Sequence, residues 1–246
     1  MSVALLSRLS RVLAMCMLLA VIASAAAEAP ELAPAPGDRR ELVVLVHGMG
    51  RSRLSMFVMA RSLESSGYRV LNWGYPSTAK GVPVLGERLA DAVRTHRGEA
   101  PRVHFVTHSL GSIIVRWALA NDPPAPLGRV VMLAPPNQGS RSADRYTPWV
   151  GWLMPPIREL RTDSTATART LPLPSNAEVG VIAGERDGKV SISESHLEGE
   201  REHVVVRAHH TFIMNRGDVR RLVTRFLGTG SFGHADGRPA HPHAAR

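Results

Sequence analysis

Apolar and polar positions fall into a repeating order from Glu41 onward. "ELVVLV" is a short, unbroken apolar run that stops at "HGMGRS", the mark of a buried strand closed by a glycine turn. Arg53 to Ser65 carries Leu54, Phe57, Val58 and Leu63 at helical spacing. "GYRVLNW" follows a glycine break as a second strand, and Val84 to His96 again has helical period. "RVHFVT" predicts a third strand, Gly111 to Asn121 a helix, and "GRVVMLAPP" a fourth strand ended by two prolines. "EVGVIAG" and "EHVVVRA" predict a fifth and a sixth, and Gly217 to Leu227 a closing helix. Apolar strands alternating with helices predict an α/β fold: a mostly parallel sheet of about six strands, covered on both faces.

Three stretches break this order. Residues 28–40, "EAPELAPAPGDRR", read as a Pro- and Ala-rich linker, so the folded domain is expected over 41–227. Residues 137–177 mix Pro, Trp and Arg without clean periodicity, and Trp149, Trp152, Leu153 and Met154 make their middle apolar. A connection this long in a compact domain is usually functional. Residues 228–246 are rich in Gly, Pro and His and are expected to be a disordered tail.

Ahead of the linker, Arg8 and Arg11 precede an uncharged run from Val12 to Ala27 that ends in "ASAAA". This is the layout of a secretory signal peptide over residues 1–27. The run is shorter than the ~20 residues a spanning helix needs, which favours cleavage over an uncleaved N-terminal membrane anchor. Export to the periplasm or the medium is therefore expected. Cys16 is the only cysteine and lies inside that segment, so the mature chain would hold no disulfide, thiolate nucleophile or Cys-ligated metal.

Composition narrows the classes of function. Aromatic residues are 5% of the chain, which counts against a base-stacking protein. The net charge is +9, and all but two of the 30 basic residues (Lys80 and Lys189) are arginine. That balance is compatible with contact to an anionic membrane surface or with a plain Arg bias. No basic run is dense enough to argue for nucleic acid. There is no phosphate-cradling glycine loop, no metal-ligand spacing and no sign of a partner protein.

Reactive residue types gather where strands end, which is where sites form in parallel sheets. The first strand ends in His47-Gly48-Met49, the third in Thr107-His108-Ser109-Leu110-Gly111. The fifth is followed by Glu185-Arg186-Asp187, and the sixth by His209-His210. A serine, an acid and a histidine thus follow one another, each beyond a different strand. A serine hydroxyl is a weak nucleophile and needs an adjacent base. A sharp strand-to-helix turn would hold it above the sheet, provided the residues two before and two after are small. Here these are Thr107 and Gly111. The helix that follows would point its N-terminus at developing negative charge. Oxyanion donors would be the N–H of Leu110 and the N–H of Met49, with Gly48 allowing the tight turn.

At "VLVHGMGRS", "VTHSLGS", "MLAPPNQGS", "DGKVSISES" and "HHTFIMN" the sequence resembles the α/β-hydrolase superfamily, specifically its small lipase-like esterases. The resemblance runs from Val43 to Asn215. It implies a minimal α/β-hydrolase fold with residues 137–177 as a cap or lid, and water as second substrate with no cofactor. By position it makes Ser109 the nucleophile, His210 the base and Asp187 the acid. Thr107 departs from the usual glycine, and the short "ERD" segment keeps Glu185 and Asp144 as rival acids. With the signal-peptide layout, the resemblance leads to an exported hydrolase of lipid or acyl esters, and the apolar patch of Trp149, Trp152, Leu153 and Met154 is expected to bind the acyl group as a lid, with ordinary core packing as the alternative. The same triad also serves thioesterases, amidases and acyltransferases, and a catalytically silent binding protein can keep the fold.

Overall fold

A computed structural model describes residues 40–173 and 176–233. The expected signal segment, nearly all of the linker, and the chain from 234 onward lie outside the described residues.

Six strands form one sheet: β1 (Leu42–Val46), β2 (Arg69–Trp73), β3 (Val103–His108), β4 (Leu127–Leu133), β5 (Glu178–Gly184) and β6 (Glu202–Val206). Their spatial order is β2-β1-β3-β4-β5-β6, and every adjacent pair is parallel. All strand C-termini therefore open on one edge, where the loops carrying His47, Ser109, Asp187 and His210 begin. The helices α1 (Phe57–Ser65), α2 (Val82–Arg97), α3 (Leu110–Asn121) and α8 (Gly217–Thr229) supply the crossovers and the closing layer.

The unbroken apolar runs follow from burial on both faces. Val44 and Val46 of β1, Phe105 of β3 and Met132 of β4 join Leu85, Leu89, Ile113 and Ile114 on one side. Val43, Leu45, Val106 and Leu133 join Met59, Leu63, Val223 and Phe226 on the other. Successive strand residues point to opposite faces, so a strand between two helix layers is apolar at most positions. A 3-10 turn at Arg53–Met56 opens the first helical stretch.

Two expectations need correction. The closing helix runs past Leu227 to Thr229 and ends at Gly230, whose φ of +77° is open to glycine. Beyond it Phe232 is 1% exposed, its ring 4.7 Å from that of Phe226. One buried aromatic in a Gly-rich stretch is enough to order residues 228–233. The region 137–177 is also more regular than its pattern suggests. It holds α4 (Arg141–Val150), α5 (Pro156–Glu159) and α6 (Thr167–Thr170). Pro148 inside α4 and the exposed Tyr146 and Trp149 hide the helical period. A further short helix, α7 (Ile192–Ser195), follows β5.

Candidate active site

The turn between β3 and α3 is tight. Ser109 has φ +53° and ψ −123°, a strained conformation for a residue with a side chain. A Cβ on Gly111 would collide with the carbonyl oxygens of Val46 and His47, so only glycine lets the helix start this close to β1. Thr107 is fully buried, and its hydroxyl lies 2.7 Å from that of Ser112. That pairing satisfies the polar group that a larger residue brings to this position.

Three side chains meet above the sheet. His210 Nε2 is 3.0 Å from Ser109 Oγ, and His210 Nδ1 is 2.6 Å from Asp187 Oδ2. A carboxylate only accepts, so Nδ1 carries the proton and Nε2 turns its lone pair to the serine hydroxyl. The other Asp187 oxygen accepts from the N–H groups of Lys189 and Val190 at 2.8 and 2.9 Å. The Asp187 side chain is wholly buried and that of His210 nearly so. The rival acids stand elsewhere. Glu185 faces Arg207 at 3.6 Å, and Asp144 is taken by the N–H and hydroxyl of Thr162. His209 is exposed.

The loop after β1 is held from several directions. Gly48 O accepts from His47 Nδ1 at 3.0 Å and from Arg51 N–H at 3.3 Å. In a planar trans peptide C=O and N–H point oppositely, so these bonds aim the Met49 N–H the other way. Among the described residues, no hydrogen bond engages the N–H of Met49 or of Leu110. The Tyr75 hydroxyl donates to His47 O, and the Tyr75 ring stacks between His47 and Trp73. Ser77 Oγ accepts from Gly50 N–H and donates to Arg51 O. Burial lowers the His47 pKa to about 4. Burial also drives that of His108 well down, helped by the positive charges of Arg51 and Lys189. Neutral His108 donates through Nε2 to His210 O at 2.9 Å and packs its Nδ1 against Gly48, where a Cβ would sit 2.7 Å away.

The sequence pattern did not single out Tyr75, Ser77 or Arg51 as parts of the site. Arg51 also donates to Thr211 O and lies over the ring of Phe212, 5.4 Å from its centroid. The only signal for these residues is their position directly after a strand.

The segment expected to form a cap divides. Trp149 and Trp152 are each 74% exposed, Leu153 is exposed, and Met154 packs against the core. Polar ties fix its base. Arg116, buried in α3, donates to the carbonyls of Ala168 and Leu171, and burial lowers its pKa to about 10. Ser140 caps α4 through Ser142 and Ala143 N–H and donates to Lys189 O, joining this segment to the acid loop.

One cluster among the described residues has metal-ligand types: His196, Glu200 and His203, with donor atoms within 4.8 Å of one another. The two imidazoles are stacked at 3.9 Å and 20°, so a metal could not lie in the plane of both rings. No helix among the described residues is long and apolar enough to cross a membrane.

Residues 37–131, the segment holding the loop after β1 and Ser109, match a family model described as "Putative serine esterase (DUF676)". No curated protein matches the sequence at a significant level. Solved structures with a similar fold include a mature Bacillus licheniformis lipase, at 19% identity and TM-score 0.61, covering 82% of this chain and 96% of that one. Aspergillus fumigatus lipase B matches at 16% identity and TM-score 0.68, covering 87% of this chain and 59% of that one. A structure reported with carboxylesterases of the thaumarchaeon Nitrososphaera gargenis matches at 18% and 0.58, covering 82% and 98%. The six-stranded parallel sheet therefore has the α/β-hydrolase fold of these lipases and esterases, and the segment that carries Ser109 is similar to the serine-esterase family model.

Proposed function

We propose that this chain is an exported hydrolase that cleaves carboxylic esters of apolar acyl groups through an acyl-serine intermediate. The observation that carries the reading is the unbroken series Ser109 Oγ, His210 Nε2, His210 Nδ1, Asp187 Oδ2 above a strained elbow. Ser109 Oγ attacks the ester carbonyl and passes its proton to His210 Nε2. Asp187 holds the imidazole in the tautomer this needs and stabilises the imidazolium. The Leu110 and Met49 N–H groups receive the negative charge that develops on the carbonyl oxygen. The carbon–oxygen bond to the alcohol then breaks, and the alcohol leaves with the proton from His210. Water attacks the acyl-serine while His210 takes its proton, and returning that proton to Ser109 Oγ frees the acid.

Residues 137–177 act as the lid in this reading. Exposed Trp149, Trp152 and Leu153 support an apolar acyl chain or a lipid surface as what it meets. The basic balance supports contact with an anionic surface, and the apolar N-terminal segment supports export. A fluorophosphonate probe tests the core of the reading. The purified protein is expected to be labelled at Ser109 and to hydrolyse p-nitrophenyl esters. Folded protein that takes no label at Ser109 and leaves the ester intact would rule the reading out.

A further inference from the structure

The loop that carries Asp187 borders a second hollow, between itself and the start of α4. Its volume is about 250 Å³, room for a tetrahedral anion with several waters. Arg141 and Arg145, one turn apart on α4, line one wall, and Lys189 and the Ser191 hydroxyl belong to the other. Among the described residues, no ion pair engages the side chain of Arg141, Arg145 or Lys189.

The two acids at this hollow, Asp187 and Glu194, match only two of the three positive charges, and neither forms an ion pair with Arg141, Arg145 or Lys189. Both Glu194 oxygens accept backbone N–H groups, from Arg141 at 2.8 Å and Ser191 at 2.7 Å. Asp187 gives one oxygen to two backbone N–H groups and the other to His210, and its side chain is wholly buried. Like charges one turn apart weaken a helix, and three cations around one hollow repel one another. An anion held between them would remove that repulsion. Guanidinium forks match phosphate oxygens in pairs, and a nearby ammonium adds a third charge. The hollow also lies beside the reaction centre. Asp187 lines it, and only the His210 imidazole separates Asp187 from Ser109.

We propose that the hollow between α4 and the Asp187 loop binds a phosphate group, carried by the ester substrate or free in solution. The substrate arm rests on Ser109 as nucleophile; the free-anion arm does not. Phosphate held there would join α4 to the acid loop, next to the link Ser140 already makes through Lys189 O.

The test uses the full-length protein and the double variant Arg141→Gln/Arg145→Gln, which leaves the Lys189 and Val190 amides in place. Inorganic phosphate, titrated at low ionic strength by calorimetry, is expected to bind one site in the parent and none in the variant. In parallel, 1-butyrylglycerol 3-phosphate is compared with 1-butyrylglycerol. If the phosphate comes with the substrate, the parent's KM is about tenfold lower for the phosphorylated ester, the effect of losing roughly one good charge-assisted contact. The variant then loses that preference and keeps its kcat on the neutral ester. Phosphate binding that the variant abolishes, without any KM preference, assigns the site to a free anion and still supports the proposal. No phosphate binding and equal KM values in the parent overturn it. Arg145→Gln alone, at an exposed position, guards against misfolding and is expected to show part of the loss. Labelling by fluorophosphonate and turnover of 1-butyrylglycerol report on Ser109 separately, so failure of the phosphate site leaves that reading standing.

Discussion

The β3–α3 turn and the 137–173 segment are built by opposite means. The turn is closely packed, with buried Leu110, Ile113 and Ile114 in the helix it opens and the carbonyls of Val46 and His47 against Gly111. The polar atoms there point at one another across short distances. The 137–173 segment is fastened by polar ties: Arg116 to two carbonyls, Asp144 to Thr162, and Ser140 to Lys189 O. Its largest apolar groups, Trp149 and Trp152, face outward. Close packing fixes atoms to within tenths of an ångström, as proton transfer requires, whereas hydrogen-bonded ties let a surface rearrange around what it meets.

The largest expected break lies at the turn. Ser109→Ala should lower kcat on p-nitrophenyl butyrate by about a millionfold, as loss of a triad nucleophile does elsewhere. The far-ultraviolet circular dichroism should not change, because Ala removes one oxygen and relieves no packing. Turnover that survives the change would move the nucleophile to another residue. Next comes Asp187→Asn, expected to cost about 10⁴ in kcat by favouring the wrong imidazole tautomer. An amide cannot present two acceptor oxygens, so the Lys189 and Val190 N–H groups would compete with His210 for one. A pH–rate profile of near-parental height in Asp187→Asn would return Glu185 or Asp144 to consideration.

The same contrast explains what the sequence discloses. Strands covered on both faces are apolar at most positions, so "ELVVLV", "RVHFVT" and "EVGVIAG" announce a parallel sheet without structural help. A polar residue directly after such a run stands at the open sheet edge, which made Ser109, Asp187 and His210 visible. The approach of Asp187 to His210 comes from the resemblance and not from the apolar pattern, because it depends on how the loop after β5 folds onto the amides of Lys189 and Val190. The helices in 137–173 escaped because a helix with exposed tryptophans and an internal proline has no one-sided apolar stripe to betray it. Tyr75, Ser77 and Arg116 act through single hydrogen bonds to distant backbone, and such bonds leave no periodic trace in the sequence.

Close packing around the turn makes the molecule acid-sensitive. His47 is buried with its pKa lowered to about 4, and burial shifts His108 the same way. The unfolded chain therefore binds these protons first as the pH falls. The stability of keeping them neutral is fully present above about pH 6.5 and is lost progressively toward pH 4. For His47 alone the full effect is about 3 kcal/mol. The urea midpoint should drop between pH 7 and pH 4.5. His47→Asn should flatten that dependence, at some cost in stability at pH 7. Equal midpoints at the two pH values in the parent would mean that His47 already titrates as it does when unfolded.

The smallest expected effects belong to the two tryptophans, and they separate the regions most directly. Trp149→Ala and Trp152→Ala remove rings that are about three-quarters solvated, so the melting temperature should scarcely move. Trp152 Nε1 donates to Trp149 O at 3.2 Å, which ties the two residues to each other and not to the core. If 137–177 is the surface that meets the acyl chain, the double variant should keep its kcat/KM on acetate esters. On dodecanoate esters it should lose several-fold, mostly through KM, since the site would forfeit apolar contact and no charge stabilisation. Equal losses on both chain lengths would show that the tryptophans act on the reaction centre itself, and the division between a fixed turn and an adaptable cover would fall. An unchanged ratio of dodecanoate to acetate turnover would place acyl recognition elsewhere on the rim. The first surface to test would then be Phe212, two residues past His210 and 60% exposed beside Arg51.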